Sequence, residues 1–198
     1  MNNWRLVALA VSLACTACSQ HALPATQSVD SGTAAAPFES IATLQDLMRY
    51  EVDPSADYIW DSVGSITTAS GTVERQPRTD AEWAQLRRNA IVLVEATNLL
   101  VLPGRRVSLT EFPADGPGVF SSVEIQQRLS GHRAEFNAFA VAFRGTARKI
   151  LAAVDAKDSA ALLQLGEQMD GACEACHLAN WYPHEVIPRL PADPPAAP

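Results

Sequence analysis

Residues 136–154 read FNAFAVAFRGTARKILAAV, and in them Phe136, Phe139, Ala140, Phe143, Ala147, Ile150, Leu151 and Val154 recur at steps of three or four. That period lays the apolar side chains along one stripe of an α-helix, the most regular in the chain. A striped helix is stable only when the stripe is covered by other elements, so the flanking sequence has to supply partners.

Working outward, Asp158 or Ser159 can cap a last helix in which Leu162, Leu165, Met169, Ala172, Cys173 and Cys176 share a face, ended by Pro183. On the other side, Ser121-Ser122-Val123-Glu124 can start a short helical segment. Before it runs a connection from Pro103 to Phe120, longer than most helix-to-helix loops and expected to cover something. Thr79 or Asp80 can cap a helix with Trp83, Ala90, Ile91, Val94, Asn98 and Val101 on one stripe, stopped by Pro103-Gly104. A polar connection, GSITTASGTVERQPR, precedes that helix. The first helical stretch runs from Phe38 to Val63, with Ile41, Leu44, Leu47, Met48 and Val52 at helical spacing, a break at Pro54, then Tyr58, Ile59 and Val63. No segment alternates with period two between hairpin turns. The expected fold is all-α, an up-down-up-down four-helix bundle over residues 38–188.

The protein has 198 residues, 47% of them hydrophobic, enough for one domain with a core that needs no disulfide staples. Its formal net charge of −7 tells against nucleic acid as a partner. Residues 1–17 hold one Arg and then an apolar stretch from Leu6 to Val11, the pattern of a cleaved secretory signal and too short for a permanent span of about 20 residues. Small residues running into cysteine resemble the lipobox of bacterial lipoproteins. Cys18, after Thr16 and Ala17, is the preferred lipidation site and Cys15 the alternative; neither has Leu three residues upstream, so an ordinary secreted protein with both cysteines in the discarded peptide is the second reading. Residues 18–37, rich in Ala, Ser and Thr, should be a flexible tether, and 189–198 a proline-rich tail. A periplasmic location follows, and a lipid anchor would place the protein at the outer membrane.

Residues 173–177 are Cys-Glu-Ala-Cys-His. In an exported protein, C-x-x-C-H reads as attachment of one covalent haem c: two thiols one helical turn apart can add to the two vinyl groups of a porphyrin edge while the adjacent imidazole ligates iron. Three rival readings are weaker. A dithiol oxidoreductase should carry C-x-x-C at a helix start within a βαβ unit. Zinc held by Cys173, Cys176, His177 and His184 would compress both ligand pairs into twelve residues. A Cys173–Cys176 disulfide would be strained and leaves His177 unexplained.

C-x-x-C-H at the end of the last of four helices resembles the class II c-type cytochromes, the cytochrome c′ group. The resemblance covers residues 38–183 and includes LQDLMRYEVDPSADYIWDSVG, residues 44–64, where Leu47-Met48 resembles the pair facing the distal side of the haem. It implies a bundle with haem near one end, thioether links at Cys173 and Cys176, His177 as proximal ligand and Met48 as candidate sixth ligand. Family members are often homodimers through their first two helices. Asn180 and Trp181 stand where members often carry Tyr and then Arg or Lys.

Bundle topology alone brings together the start of the first helix, the end of the second, the start of the third and the end of the fourth. Met48, Phe136, Phe139 and the 103–120 loop are thus the expected surroundings of His177, although a core methionine needs no such role. His21, His132 and His184 are expected in solvent, as are Glu124, Glu135 and Asp170, and no catalytic constellation is present. The expected function is single-electron transfer with a redox partner protein, not enzymatic turnover. A five-coordinate haem protein binding NO or CO is the alternative, and a zinc-stabilised interaction module a third class.

Overall fold

The computed structural model describes residues 39–184; the expected signal, tether and tail, with Cys15, Cys18, His21 and Phe38, lie outside the described residues. Within them the protein is mostly helical with one small two-stranded sheet. The elements are α1 (Leu44–Leu47), a π-helical turn (Met48–Val52), α2 (Asp53–Ser62), β1 (Gly64–Thr68), β2 (Gly71–Arg75), α3 (Asp80–Leu100), α4 (Ser122–Gly131), α5 (Arg133–Asp155) and α6 (Ser159–Asn180).

Four helix starts, those of α1, α3, α4 and α6, follow from caps supplied by polar side chains. Thr43 with Asp46, Thr79 with Glu82 and Ser121 with Glu124 are reciprocal boxes, and Asp158 accepts the Ala161 N–H at 2.9 Å. Ile41 therefore lies ahead of the first helix and is 80% exposed, contrary to its expected place on the stripe. The expected break at Pro54 is absent as well. Helix continues from α1 into α2 because the intervening turn widens: the Asp53 N–H reaches back to the Met48 carbonyl. Pro54 then falls in the first turn of α2, where a missing N–H costs little.

The all-α expectation fails at residues 64–75, where β1 and β2 pair antiparallel with Ile66 opposite Val73 and Thr67 opposite Thr72. The two Thr hydroxyls lie 3.0 Å apart across the strands, and Gly71 takes the positive φ after the Ala69-Ser70 turn.

Helix α2 packs on α3, α3 on α5, α5 on α6 and α6 back on α2. On α5 the expected stripe is buried, with Phe139 and Leu151 at its half-buried edge. On α3 it is turned relative to expectation: Trp83, Leu86, Ala90, Leu93, Thr97 and Leu100 are buried at alternating three- and four-residue steps, while Ile91, Val94 and Val101 form a half-buried flank. The core divides into two clusters. One contains Ile59, Leu86, Leu93, Ile150, Leu162 and Met169; the other contains Leu44, Leu47, Leu100, Val107, Ile125, Leu129 and Phe136.

Candidate functional site

Between the two clusters lies a cavity of about 560 Å³, within the range of roughly 300–1,000 Å³ usual for small-molecule and cofactor sites. Its first wall is Met48, Val52, Ala56 and Trp60. Leu100 closes α3 against it, Val107 and Phe112 of the long connection cover it, and Leu129, Phe136, Phe139 and Phe143 form the opposite side. The last turns of α6 contribute Cys173, Cys176, His177, Asn180 and Trp181. Four sequence-predicted residues, Met48, Cys173, Cys176 and His177, thus meet at one cavity, as do the expected neighbours Phe136 and Phe139. Both cysteines are free and half-buried; Cys173 packs against the first cluster and Cys176 against the second, so the two thiols straddle the division of the core.

The connection is anchored at both ends of the site. The Leu44 and Gln45 N–H groups donate to the carbonyls of Arg106 and Val107 at 2.9 and 3.0 Å, and the Val107 N–H donates to Gln126 Oε1 at 2.8 Å. Arg105 is buried and donates to the carbonyls of Leu99 and Ala42, joining the end of α3 to the start of α1. Phe120 N–H donates to the Trp181 carbonyl at 2.7 Å, and Arg128 Nε to the Ala179 carbonyl at 3.1 Å, which hold the end of α6.

Burial sets the electrostatics. It pushes the Cys173 thiol up to about 11, with Asp170, Cys176, Asp53 and Glu174 adding to the effect, and raises Cys176 as well. Both thiols are protonated near neutrality, opposite to the low-pKa thiolate of a dithiol oxidoreductase. Burial lowers the His177 pKa, against Glu174 and Asp53, which act to raise it. Its ring meets Trp181 at 5.3 Å and Tyr182 at 5.8 Å, both edge-on. Tyr182 in turn donates its hydroxyl to Glu174 at 2.7 Å.

His132 and His184 are exposed, as expected, and among the described residues no three His, Cys, Asp or Glu side chains gather as a metal-holding group. Glu124 and Glu135 lie on solvated faces but are engaged, Glu124 with Ser121 and Glu135 with Arg128 at 3.0 Å. Asp170 is exposed at the cavity rim. Sequence reading missed Trp60 and the buried Asn180 as site residues; the signal for Asn180 is its position one turn after Cys176 on the same face.

A second hollow, of about 690 Å³, lies between the hairpin and helices α2 and α3 and is walled by charges of both signs, including Asp61, Glu74, Arg75, Arg78 and Glu82. It contains none of the sequence-predicted residues. No protein-family model, no curated protein and no solved structure matches the sequence.

Proposed function

We propose that the protein is an exported haem c protein of the cytochrome c′ kind, its four long helical stretches forming a bundle, and that it transfers single electrons. One observation carries the reading: the two thiols and the imidazole of C-x-x-C-H face a single apolar cavity of about 560 Å³ at the junction of the helix ends. The donor set fits the group. Two free, half-buried thiols one turn apart can add to the two vinyl groups of one porphyrin edge, and the imidazole has no hydrogen-bond partner among the described residues. Haem, when bound, supplies one-electron exchange between ferric and ferrous iron. The protein's own part is to hold the macrocycle edge through Cys173 and Cys176, present His177 to the metal, and exclude water with Leu129, Phe136, Phe139 and Phe143.

The test is expression with periplasmic haem-ligation machinery. A mass increase that survives denaturation is expected, and it should vanish in Cys173→Ala plus Cys176→Ala. Absence of covalent haem from the parent protein overturns the reading.

Met48 is proposed as the sixth ligand because its side chain lines the same cavity as His177. Met48→Ala should convert a low-spin spectrum to high-spin and open a site for carbon monoxide. A parent that is already high-spin favours the five-coordinate gas-binding alternative. Lipid attachment at Cys18, or at Cys15, is read from the mature amino-terminal mass.

A further inference from the structure

Asn180 closes α6 with a side chain only 5% exposed, and its amide is half satisfied. Nδ2 donates to the Cys176 carbonyl at 2.9 Å and lies 3.8 Å from Cys176 Sγ, while Oδ1 has no partner among the described residues. The Cys176 carbonyl fixes which way the amide faces, since the flipped amide would set oxygen against oxygen. The orphan is therefore an acceptor, and what satisfies it must bring an N–H or O–H.

His177 lies three positions before Asn180, close enough on a helix for the side chains to be neighbours, and lines the same cavity. Its ring has edge-on contacts with Trp181 and Tyr182, and no hydrogen bond to either ring nitrogen is found among the described residues. The backbone donors nearby are already used: the Trp181 and Tyr182 N–H groups go to the His177 carbonyl at 2.7 and 3.1 Å, and the Phe120 N–H goes to the Trp181 carbonyl. An iron porphyrin brings no donor of its own, because its pyrrole nitrogens bind metal and its ionised propionates only accept. A neutral imidazole that gives one nitrogen to a metal still carries one N–H on the other.

We infer that Asn180 is a positioning residue for His177: Oδ1 accepts the ring N–H turned away from the metal, which fixes the tautomer and leaves the other nitrogen's lone pair for iron. The inference rests on the haem reading above. Metal-bound histidines generally donate their second ring N–H in this way, and the acceptor tunes ligand basicity and orientation.

The test compares haem-loaded Asn180→Leu and Asn180→Asp with the parent in the low-spin ferrous state, adding carbon monoxide where the sixth position is open. The parent should show a His177 ring N–H in slow exchange with D₂O. That slow signal should be lost in Asn180→Leu and kept in Asn180→Asp. The reduction potential should rise in Asn180→Leu, where the imidazole loses its acceptor, and fall in Asn180→Asp, where a carboxylate makes it more electron-rich. Should the leucine variant not fold, the kept N–H and lowered potential of the aspartate variant carry the test. An N–H that exchanges equally in parent and Asn180→Leu, as when a water fills the orphan, overturns the inference, and so do potentials that move in one direction in both variants. Lack of covalent haem in the parent overturns the inference and the haem reading together; haem present with an unaffected N–H overturns the inference alone.

Discussion

The two ends of the helical assembly use the same spacing of apolar residues and reach opposite results. Toward the hairpin end, Leu86, Leu93, Ile150 and Leu162 are sealed from solvent, and Ala90 and Ala147 let the helices approach closely. Toward the other end, α5 and α6 keep the same three- and four-residue steps through Phe136, Phe139, Phe143, Ala172 and Cys176, yet several of those side chains face a cavity. The difference comes from what is inserted between the helices. There the 103–120 connection and α4 pack Val107, Ile125 and Leu129 into a second cluster, and the π-helical turn widens the first helical run at Met48. A cavity in a helical protein is thus made by backbone wedges, while the stripe supplies only the lining. π-helical turns are frequent at functional sites.

Breaking the sealed end should have the largest effect. Ile150→Ala or Leu162→Ala leaves a hole among fully buried neighbours and is expected to cost about 2–5 kcal/mol in chemical denaturation. Phe139→Ala removes a half-buried side chain with a face already on the cavity and should cost less; if the proposed haem occupies that cavity, its spectrum should change in this variant and not in the sealed-end ones. Equal losses at both ends would contradict the comparison.

The boundary comes next. Trp60 walls the cavity and donates its Nε1 hydrogen to the Gly166 carbonyl at 3.1 Å, and a Cβ on residue 166 would stand 3.1 Å from Trp60 Cδ1. Gly166→Ala should therefore push the indole toward the cavity at a cost of roughly 1–3 kcal/mol. A lower melting temperature with shifted tryptophan fluorescence is expected; an unchanged melting temperature would show that the indole yields freely.

How much was legible depended on whether neighbours in sequence were enough. C-x-x-C-H is contiguous and needs only one helical turn, so Cys173, Cys176 and His177 could be read together. The α5 stripe could be read because, apart from the exposed Val141, its alternatives are polar or small. On α3, Ile91, Val94 and Val101 offer a second apolar ridge beside Leu86, Leu93 and Leu100, and only packing against α2 and α5 decides between them. The hairpin was illegible because nearly all of both its strands is exposed, which erases the alternation that marks a half-buried strand. Asn180 was legible as a position but not as a buried acceptor, since the orphaned oxygen exists only once the end of α6 is packed.

The smallest expected effect separates the two ends by acid. Asp46 is held below the usual carboxylate range chiefly by the Thr43 hydroxyl and then by its backbone N–H. Glu82 is held down by the Arg78 and then the Thr79 backbone N–H groups. A carboxyl lowered on folding stabilises the native state above its unfolded pKa of about 4, and that contribution is lost as pH falls through the lower folded value. Both caps should therefore weaken in acid, but they guard unequal helices: α3 runs 21 residues with buried side chains along its length, whereas α1 has four before the π-helical turn. The Leu47 N–H, bonded to the Thr43 carbonyl at 3.1 Å, should lose hydrogen-exchange protection on acidification before the Trp83 N–H, bonded to the Thr79 carbonyl at the same distance. Asp46→Asn should lower protection at Leu47 near neutrality and remove its acid dependence while leaving Trp83 unchanged. Simultaneous loss at both amides would mean that the cavity end is held as firmly as the sealed one.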